Sequence, residues 1–495
     1  MVPVRAPRRH AARPRHLSAG TPLPPRRPAP SPSSPPPRPA ALRTFDRARV
    51  TFPAPRSWYR QERGHVMRTT KDVVVIGGGL AGLAAAAYLG RAGRSVALVE
   101  KAHAPGGRAS TQESHGFSLN LGAHALYRGG AAHEVLRELG VRFTGAAPSP
   151  SGALALDRGA LHTLPSGALS LLTTGLFPLA AKIEMGRVLG SLAATNPAPL
   201  AAVPVSAWLR DAFRTPEARR FVGALVRLST YCADDDRQSA GAALAQVQLA
   251  LSHGVLYLDG GWKTLVAGLR DAAVAAGVEI LTGARAAQIA AEGGAVSAVE
   301  LANGDRLGAG AVLVAASPRA AAALVPASAA LAAHAERAVP VRAACLDVAL
   351  SRLPRQRPGF VLGIDRPLYL SVHTGAARLA PAGGAVIHTA QYSPELAGGD
   401  PERELEDLLE RAQPGYRGAI VERRFLPSLI VSNAVVTAEG GGPAGRPGAR
   451  VPDLDGLFLA GDWVGPTGML ADASLTSARD AASAILSRRA LDRAA

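Results

Sequence analysis

The sequence predicts an α/β fold in which a parallel β-sheet is flanked by helices, and three observations indicate it. First, Val73–Ile76 is a continuous run of β-branched residues, which suits a strand buried on both faces. Second, a glycine turn leads into Leu80–Arg91, whose alanine and leucine content predicts a helix. Third, Ser95–Val99 repeats the apolar strand pattern. The order strand, turn, helix, strand is that of a parallel βαβ unit.

The glycine turn has the spacing of a dinucleotide-binding site. Gly77, Gly79 and Gly82 allow, in turn, a tight turn, close backbone approach to a pyrophosphate, and close packing of the helix on the strand. Glu100 follows Gly77 by 23 positions, close to the spacing of an acid that binds a ribose hydroxyl. The sequence therefore predicts a Rossmann-like domain whose cofactor contacts are Gly77, Gly79, Leu80, Ala81, Gly82, Glu100 and Lys101.

A second run of glycines shows that spacing alone is weak evidence. Gly440, Gly442 and Gly445 fit the same pattern, but no strand is predicted before them. Pro443 lies inside the run and Pro447 just beyond it, and both favour irregular backbone. We assign this run to a loop, which leaves one dinucleotide fingerprint in the chain.

With Gly106-Gly107-Arg108 after the acid, the chain resembles the flavin amine oxidase and phytoene desaturase superfamily. Gly116–His124, Tyr257–Leu265 and Leu457–Trp463 are similar to further segments of that superfamily, in the same order, so the resemblance spans roughly residues 70–490. It implies FAD as the cofactor and a backbone contact from Ala286 to the adenine. The other contacts that it implies are Gly107, Arg108, Gly461, Asp462, Met469 and Leu470.

The C-terminal segment also fits this role on physical grounds. Leu457–Ala460 predicts a buried strand, Gly461 permits close backbone approach, and Asp462 can accept a hydrogen bond from a ribose or ribityl hydroxyl. Asp472 is predicted to cap the helix Ala473–Arg488. The positive end of that helix would stabilise negative charge on a reduced flavin.

The positive charge of the chain is concentrated in its first 66 residues. The net charge is +17, and residues 1–66 contribute +12 of it through 14 arginines against Asp46 and Glu62. Because this segment also holds 15 of the 39 prolines, we expect a disordered tail, and translation is expected to begin at Met67. The remaining +5 is spread over 429 residues, so no nucleic-acid partner is predicted.

Cysteines and acidic residues give no metal or disulfide signal. Cys232 and Cys345 are 113 positions apart, which excludes a dithiol motif and suits a cytoplasmic location. Asp234–Asp236 is interpreted as a solvated loop, because no histidine lies near it in the sequence, and no metal site is predicted. Gly159–Ala181 lacks formal charges but contains Pro and Gly, so we expect a core or tunnel-lining helix, and peripheral membrane contact stays open.

The chain is predicted to visit the cofactor domain three times. Residues 67–130, 256–318 and 426–495 form the FAD-binding domain, and residues 131–255 and 319–425 form an interleaved α+β substrate domain. The oligomeric state is not specified by the sequence.

The predicted reaction is transfer of a hydride from an apolar organic substrate, such as a polyene or isoprenoid, to the flavin. Oxygen or a quinone would then reoxidise the flavin. No acid–base pair stands out in the sequence; His124 and Trp463 are the candidates for a catalytic role, each with packing as the alternative. Two other functions stay open, a flavin amine oxidase and a non-catalytic FAD-binding escort protein of the kind that the superfamily includes.

Overall fold

The computed structural model describes residues 68–492, and the predicted tail lies outside this range. Its helices are α1 Leu80–Arg91, α2 Ala131–Glu138, α3 Ala168–Thr173, α4 Leu179–Leu192, α5 Val205–Ala212, α6 Pro216–Thr230, α7 Ala240–His253, α8 Lys263–Ala275, α9 Pro318–Leu324, α10 Ala329–Arg337, α11 Pro394–Ala397, α12 Pro401–Ala412 and α13 Leu470–Asp492. Its strands are β1 Arg68–Ile76, β2 Val96–Glu100, β3 Thr111–Ser114, β4 Phe117–Asn120, β5 Leu126–Tyr127, β6 Gly145–Ala146, β7 Leu154–Asp157, β8 Ala160–Thr163, β9 Val255–Leu258, β10 Glu279–Thr282, β11 Ala286–Glu292, β12 Ala295–Leu301, β13 Arg306–Val314, β14 Val341–Leu350, β15 Phe360–Gly363, β16 Leu368–Val372, β17 Ala385–Tyr392, β18 Ile420–Ser432 and β19 Leu457–Leu459.

The first sheet contains the predicted parallel βαβ unit. Its order is β10-β2-β1-β13-β12-β11, and β19 also pairs with β13. The pairs β10–β2, β2–β1, β1–β13 and β13–β19 are parallel, whereas β13, β12 and β11 form an antiparallel meander. The α/β fold class is therefore confirmed. The strands β12 and β13 form a hairpin around Asn303-Gly304, and β13 continues without a break to Val314.

Helix α1 fits closely between the first sheet and two other helices. Its bounds are those that the sequence predicts, and the four alanines Ala84–Ala87 are completely buried. Leu83, Leu89 and residues of α8 and α13, such as Leu265 and Leu475, share the same core cluster. The small side chains allow α1 to approach both helices closely, so this helix fixes the glycine turn against the sheet.

The second sheet has the order β18-β14-β17-β16-β15-β7-β8. It is antiparallel except where β15 runs parallel to β7. Leu346, Val348 and Ile387 lie in one core cluster with Leu405 and Leu409 of α12, which covers one face of this sheet. The strand β18 crosses residue 426, where the sequence predicts a return to the FAD-binding domain, and it belongs to the second sheet over its whole length.

Two local predictions were wrong. Gly159–Ala181 is not one buried helix: it contains β8, α3 and the start of α4, and Leu169, Leu172 and Leu179 are exposed. Asp472 does not cap its own helix, because α13 already begins at Leu470; its Oδ1 atom instead accepts a hydrogen bond of 2.7 Å from Ala132 N, in the first turn of α2. Burial raises the pKa of Asp472 to about 6.

Cys232 and Cys345 are both free and buried. Between residues 68 and 492, no helix combines the length and the apolar character that crossing a bilayer requires.

The close packing of α1 on the glycine turn can be tested with Gly82→Ala. A Cβ atom at this position would overlap the carbonyl oxygen of Gly77, so we expect the free energy of unfolding to fall by about 1–3 kcal/mol. Gly186→Ala in α4 is the matched control, because a Cβ atom there meets no atom of the described residues within 4 Å. That variant should gain about 0.4–1 kcal/mol. Equal denaturant midpoints for the two variants would contradict the packing argument.

Candidate functional site

Two glycine turns meet at the amino end of α1. Gly77 has a φ of +108°, and a Cβ atom on it would lie 2.5 Å from the carbonyl oxygen of Ala315, so only glycine fits. The second turn is joined to the first by a hydrogen bond of 2.8 Å from Gly106 N to Gly78 O. A Cβ atom on Gly107 would lie 3.7 Å from the Cα atom of Gly79. The structure thus brings both sequence-predicted turns into contact.

The amino end of α1 is open at this point. Gly79 is the N-cap, and no side chain of the described residues caps the free N–H groups of the first turn. A Cβ atom on Gly79 would meet nothing within 4 Å in the described part of the chain. Unpaired N–H groups and the helix dipole favour an anion, so this space suits a pyrophosphate. Leu80 is half-buried and Ala81 buried on the adjoining turn.

Glu100 lies beside this opening as the last residue of β2. Its Oε2 atom accepts a hydrogen bond of 2.6 Å from Gly78 N, and its Oε1 atom accepts one of 2.8 Å from Ala102 N. Each carboxylate oxygen retains a lone pair that can accept from a ligand hydroxyl. Lys101, the next residue, is exposed. Ala286 is the first residue of β11, and the nearby Ala284 donates its N–H to the Glu100 carbonyl at 2.9 Å. The predicted adenosine contacts therefore lie around one opening.

Arg108 and Asp462 form a two-bond ion pair although 354 positions separate them. The two guanidinium nitrogens lie 2.8 and 3.0 Å from the two carboxylate oxygens. Asn433 donates to the same carboxylate from its backbone N–H at 3.0 Å and from its side-chain amide at 2.8 Å. Burial alone would raise the pKa of Asp462, but Arg108 and Asn433 lower it to about 2. The sequence predicted both ends of this pair but neither the pairing nor the role of Asn433.

The loop before α13 is fixed by residues that the sequence did not indicate. Arg446, which follows the discarded glycine run, donates to the carbonyls of Asp462 at 3.1 Å and Gly468 at 2.9 Å. The run itself forms a short 3₁₀ turn over Gly442–Gly445, in line with its assignment to a loop. Met469 is buried against Ala242 and Val436 of neighbouring segments, with Leu470 packed beside it.

Gly461, the remaining predicted contact, is held by a side chain of α13. Its N–H donates to Ser477 Oγ at 2.9 Å, and the same hydroxyl donates back to the Gly461 carbonyl at 3.0 Å. This reciprocal pair fixes the backbone immediately before Asp462. The position of the ion pair therefore follows from the packing of α13.

The two catalytic candidates lie in different surroundings. Trp463 is buried under the first sheet, and its indole N–H donates to the Ala316 carbonyl at 2.9 Å, which favours a packing role. His124 is half-buried, with Nδ1 3.1 Å from the Gly122 carbonyl oxygen and its ring 4.8 Å from that of Trp262. Burial lowers the pKa of His124 to about 4, so the ring is neutral at pH 7.

A wall of the second sheet closes the site on the side of His124. Gly122 packs directly on it, since a Cβ atom there would lie 2.9 Å from Cys345 Sγ. Arg108 donates at 2.7 Å to the carbonyl of Val431 in β18 of the same sheet. We call this wall the inner face; its central residues are Ala343, Cys345, Asp347, Tyr369, Ser371, His388, Ala390 and Tyr392.

The inner face is mainly apolar and aromatic. Its rings pack edge to face, with centroids 5.7 Å apart for Tyr231 and Tyr392 and 5.6 Å apart for Phe360 and Tyr369. Half-buried Leu426, Leu429 and Val431 border the same cluster. Over residues 68–492, no group of three or more His, Cys, Asp or Glu side chains is arranged to hold a metal ion. The aromatic and aliphatic side chains of the inner face suit an apolar ligand.

The ion pair predicts a stability defect in Arg108→Met. Asp462 would remain buried without its cation, but Arg108 is 38% exposed, so we expect a loss of about 1.5–3 kcal/mol. Arg479→Met, which removes a surface ion pair with Glu138, should cost less than about 1 kcal/mol. Because the pKa of Asp462 is lower in the folded protein, its contribution is present above about pH 4 and disappears as the pH falls through 2. A defect that is unchanged between pH 7 and pH 2.5 would contradict this assignment.

Comparison with curated proteins gives relatives that are named as dehydrogenases and desaturases. A stretch of 54 residues is 56% identical to the phytoene dehydrogenase of Streptomyces griseus and covers 11% of each chain. Over 287 residues the chain is 28% identical to the hydroxyneurosporene desaturase of Rhodobacter capsulatus, covering 50% of this chain and 56% of that one. The matched parts thus span from about a tenth to just over half of these relatives.

Solved structures match over most of the chain. An oxidoreductase from Methanosarcina mazei has a TM-score of 0.68 at 20% identity, covering 84% of this chain and 99% of the other. Putrescine oxidase bound to putrescine has a TM-score of 0.66 at 16% identity, covering 85% and 100%. At these identities the likeness shows the fold.

A model of the family described as flavin containing amine oxidoreductase matches residues 80–345, which is more than half of the 495 residues. The match begins at α1, on the glycine turn, and ends in β14, on the inner face. The chain therefore belongs to the flavin containing amine oxidoreductase family.

Proposed function

We propose that this protein is an FAD-dependent oxidoreductase that takes a hydride from an apolar organic substrate of the polyene or isoprenoid type. The reaction would desaturate or oxidise the substrate, and oxygen or a quinone would reoxidise the cofactor. The observation that carries the proposal is the position of the inner face. This apolar and aromatic wall contacts the segment Gly122–His124, and its sheet also supplies the Val431 carbonyl to which Arg108 donates.

The choice of FAD over a smaller flavin rests on the open amino end of α1. This end suits a pyrophosphate, and Glu100 beside it suits the ribose of an adenosine group, which FMN lacks. Arg108, Asp462 and Asn433 would then border the ribityl and flavin portion, with Met469 and Leu470 next to them. When bound, the flavin supplies the hydride acceptor.

The chain itself would orient the substrate and exclude water. Alanine, cysteine and tyrosine side chains provide most of the contact area of the inner face, so an apolar chain can pack against it. Close packing of the reacting C–H bond against the cofactor converts binding energy into orientation. Relatives named phytoene dehydrogenase and hydroxyneurosporene desaturase support this substrate class.

Amine oxidation is the second candidate, and the tyrosines favour it. Aromatic faces bind cations, and Tyr231 is half-buried beside Tyr392. The one carboxylate on the inner face, Asp347, is already paired with Arg424 and His388, so it does not provide a free counter-charge for an ammonium group. This balance of charge favours the apolar substrate.

The proposal predicts the visible spectrum of the purified full-length chain. We expect a flavin spectrum that is bleached anaerobically by a polyene or isoprenoid substrate and restored by air or a quinone. Mass spectrometry of the released cofactor should give FAD. Bleaching by amines and not by polyenes would contradict the substrate assignment and favour the second candidate, and a released cofactor other than FAD would contradict the assignment of the adenosine site.

An exposed apolar edge supports peripheral contact with a membrane. We propose that the membrane is the source of the substrate. Leu169 and Leu172 of α3 are 76% and 65% exposed, and Leu179 and Ile183 of α4 are 72% and 53% exposed. Each pair lies on one side of its helix. Glu184 is turned away from this edge, because its carboxylate accepts hydrogen bonds from Arg214 and Thr215.

The same helices provide positive charge. Lys182 donates to the Leu172 carbonyl at 2.7 Å, so its ammonium lies beside the apolar edge, and Arg187 is exposed one turn further along α4. Apolar side chains bordered by cations suit an anionic lipid surface. This edge is defined here as the lipid edge.

The lipid edge predicts that Leu172→Ser with Leu179→Ser weakens binding to vesicles containing phosphatidylglycerol. Each leucine contributes apolar area worth about 1.5–3 kcal/mol when fully buried, so we expect at least a tenfold loss in cosedimentation affinity. Leu251→Ser is the control, since Leu251 is 54% exposed on α7, outside the lipid edge. Binding that falls only with added salt and ignores both leucines would contradict the assignment and indicate a purely electrostatic contact.

A further inference from the structure

A row of polar residues crosses the inner face at one level. Direct cross-strand pairing aligns Arg424 of β18 with Asp347 of β14, Asp347 with His388 of β17, and His388 with Ser371 of β16. Directly paired residues point to the same face of a sheet. Asp347 and His388 are completely buried, so the row is a built feature of the interior and not a rim of the wall.

The hydrogen bonds within the row fix the orientation of the His388 ring. Its Nδ1 atom lies 2.6 Å from Asp347 Oδ1, and Arg424 donates to Asp347 Oδ2 at 2.7 Å. His388 and Arg424 lower the pKa of Asp347 against the raising effect of burial, so the carboxylate is ionised and can only accept. The proton of this bond therefore resides on Nδ1, so that in the neutral form of the ring Nε2 is an acceptor.

The Nε2 atom of His388 is buried and has no hydrogen-bond partner among the described residues. A buried ring nitrogen without a partner costs free energy and calls for an explanation, of which a catalytic role is one. An imidazole fixed through Nδ1 by a carboxylate, with Nε2 free, is the arrangement of a general base.

His388 is linked through Asp347 to the turn at Gly122. The Asp347 carboxylate that orients it also accepts a hydrogen bond of 3.3 Å from Gly122 N, at the turn that leads to His124. The ring of His373 lies 4.4 Å from that of His388 and stacks on Tyr257 at 3.8 Å. The charged and titratable groups that face His388 are Asp347, Arg424, His373, His124 and Tyr257.

We infer that His388 Nε2 accepts the proton that leaves the substrate when its hydride is removed, with Asp347 and Arg424 as positioning residues. This inference rests on the proposed function. Desaturation breaks two C–H bonds and forms one carbon–carbon π bond: one hydrogen leaves with its electron pair as a hydride to the flavin, and the other leaves as a proton to Nε2. The resulting imidazolium is stabilised by Asp347, and the substrate loses two electrons, which the flavin gains.

The decisive variant is His388→Asn. The asparagine amide can still donate to Asp347, so the ion pair keeps a partner, but no base remains at the Nε2 position. We expect substrate-dependent flavin reduction, measured by anaerobic stopped flow, to fall 10²- to 10⁴-fold. Flavin content and full reduction by dithionite should stay unchanged.

A matched control separates the base from general packing. Tyr416→Phe removes another buried polar atom that lacks a partner in the described residues, but Tyr416 belongs to the core cluster under α12, on the opposite face of the same sheet. Its rate should equal that of the wild type. Wild-type flavin reduction by the same substrate in His388→Asn would overturn the inference while leaving the proposed function intact.

A second measurement does not depend on turnover. In the flavin-bound protein labelled with ¹⁵N-histidine, the resonances lost in His388→Asn, or in His388→Gln where the first variant does not fold, identify the ring. We expect a protonated Nδ1 and an unprotonated Nε2 at neutral pH. A proton on Nε2 in the resting protein would overturn the inference, whether or not His388→Asn folds and whether or not a polyene reduces the flavin. Failure of polyenes to reduce the flavin would instead contradict the proposed substrate.

Discussion

The ion pair between Arg108 and Asp462 is the contact on which the arrangement of the site depends. Arg108 follows the second glycine turn, Asp462 follows β19, and the same guanidinium also reaches the Val431 carbonyl in β18 of the second sheet. One side chain thus joins three segments that are distant in the sequence. A carboxylate buried as deeply as that of Asp462 requires such compensation, and Asn433 completes it with two further hydrogen bonds.

Local patterns in the sequence predicted the part of the fold that depends on neighbouring residues. The helix α1 has its predicted bounds because its alanines, leucines and flanking glycines act within a few residues of one another. The error at Asp472 has the opposite origin. Asp472 has the residue type of an N-cap, but α13 already begins at Leu470, two residues before it. Tertiary packing brings the carboxylate of Asp472 to Ala132 of a different helix.

The site was predictable in its components and not in its connections. Spacing identified the glycines and Glu100, and resemblance identified Arg108 and Asp462, but a sequence does not show that the last two pair. Asp347 and His388 were hidden for a related reason. They are 41 positions apart, and only the register of β14 against β17 makes them neighbours. A charged residue inside the apolar strand Val341–Leu350 is the one local signal that could have indicated them.

The carboxylates of Asp462 and Asp347 differ in what their hydrogen-bond partners leave unsatisfied, and this difference separates a structural role from a chemical one. Around Asp462 the partners of the carboxylate are complete, so the group fixes backbone positions. The Asp347 carboxylate also has its hydrogen-bond partners, which are Arg424, His388 and Gly122. The atom without a partner among the described residues is instead Nε2 of His388. Since Asp347 and Arg424 cancel in charge, a proton arriving at Nε2 adds a single positive charge next to an ionised carboxylate, where its burial is least costly. An interior that is apolar elsewhere on the inner face can therefore accommodate a proton at this one position.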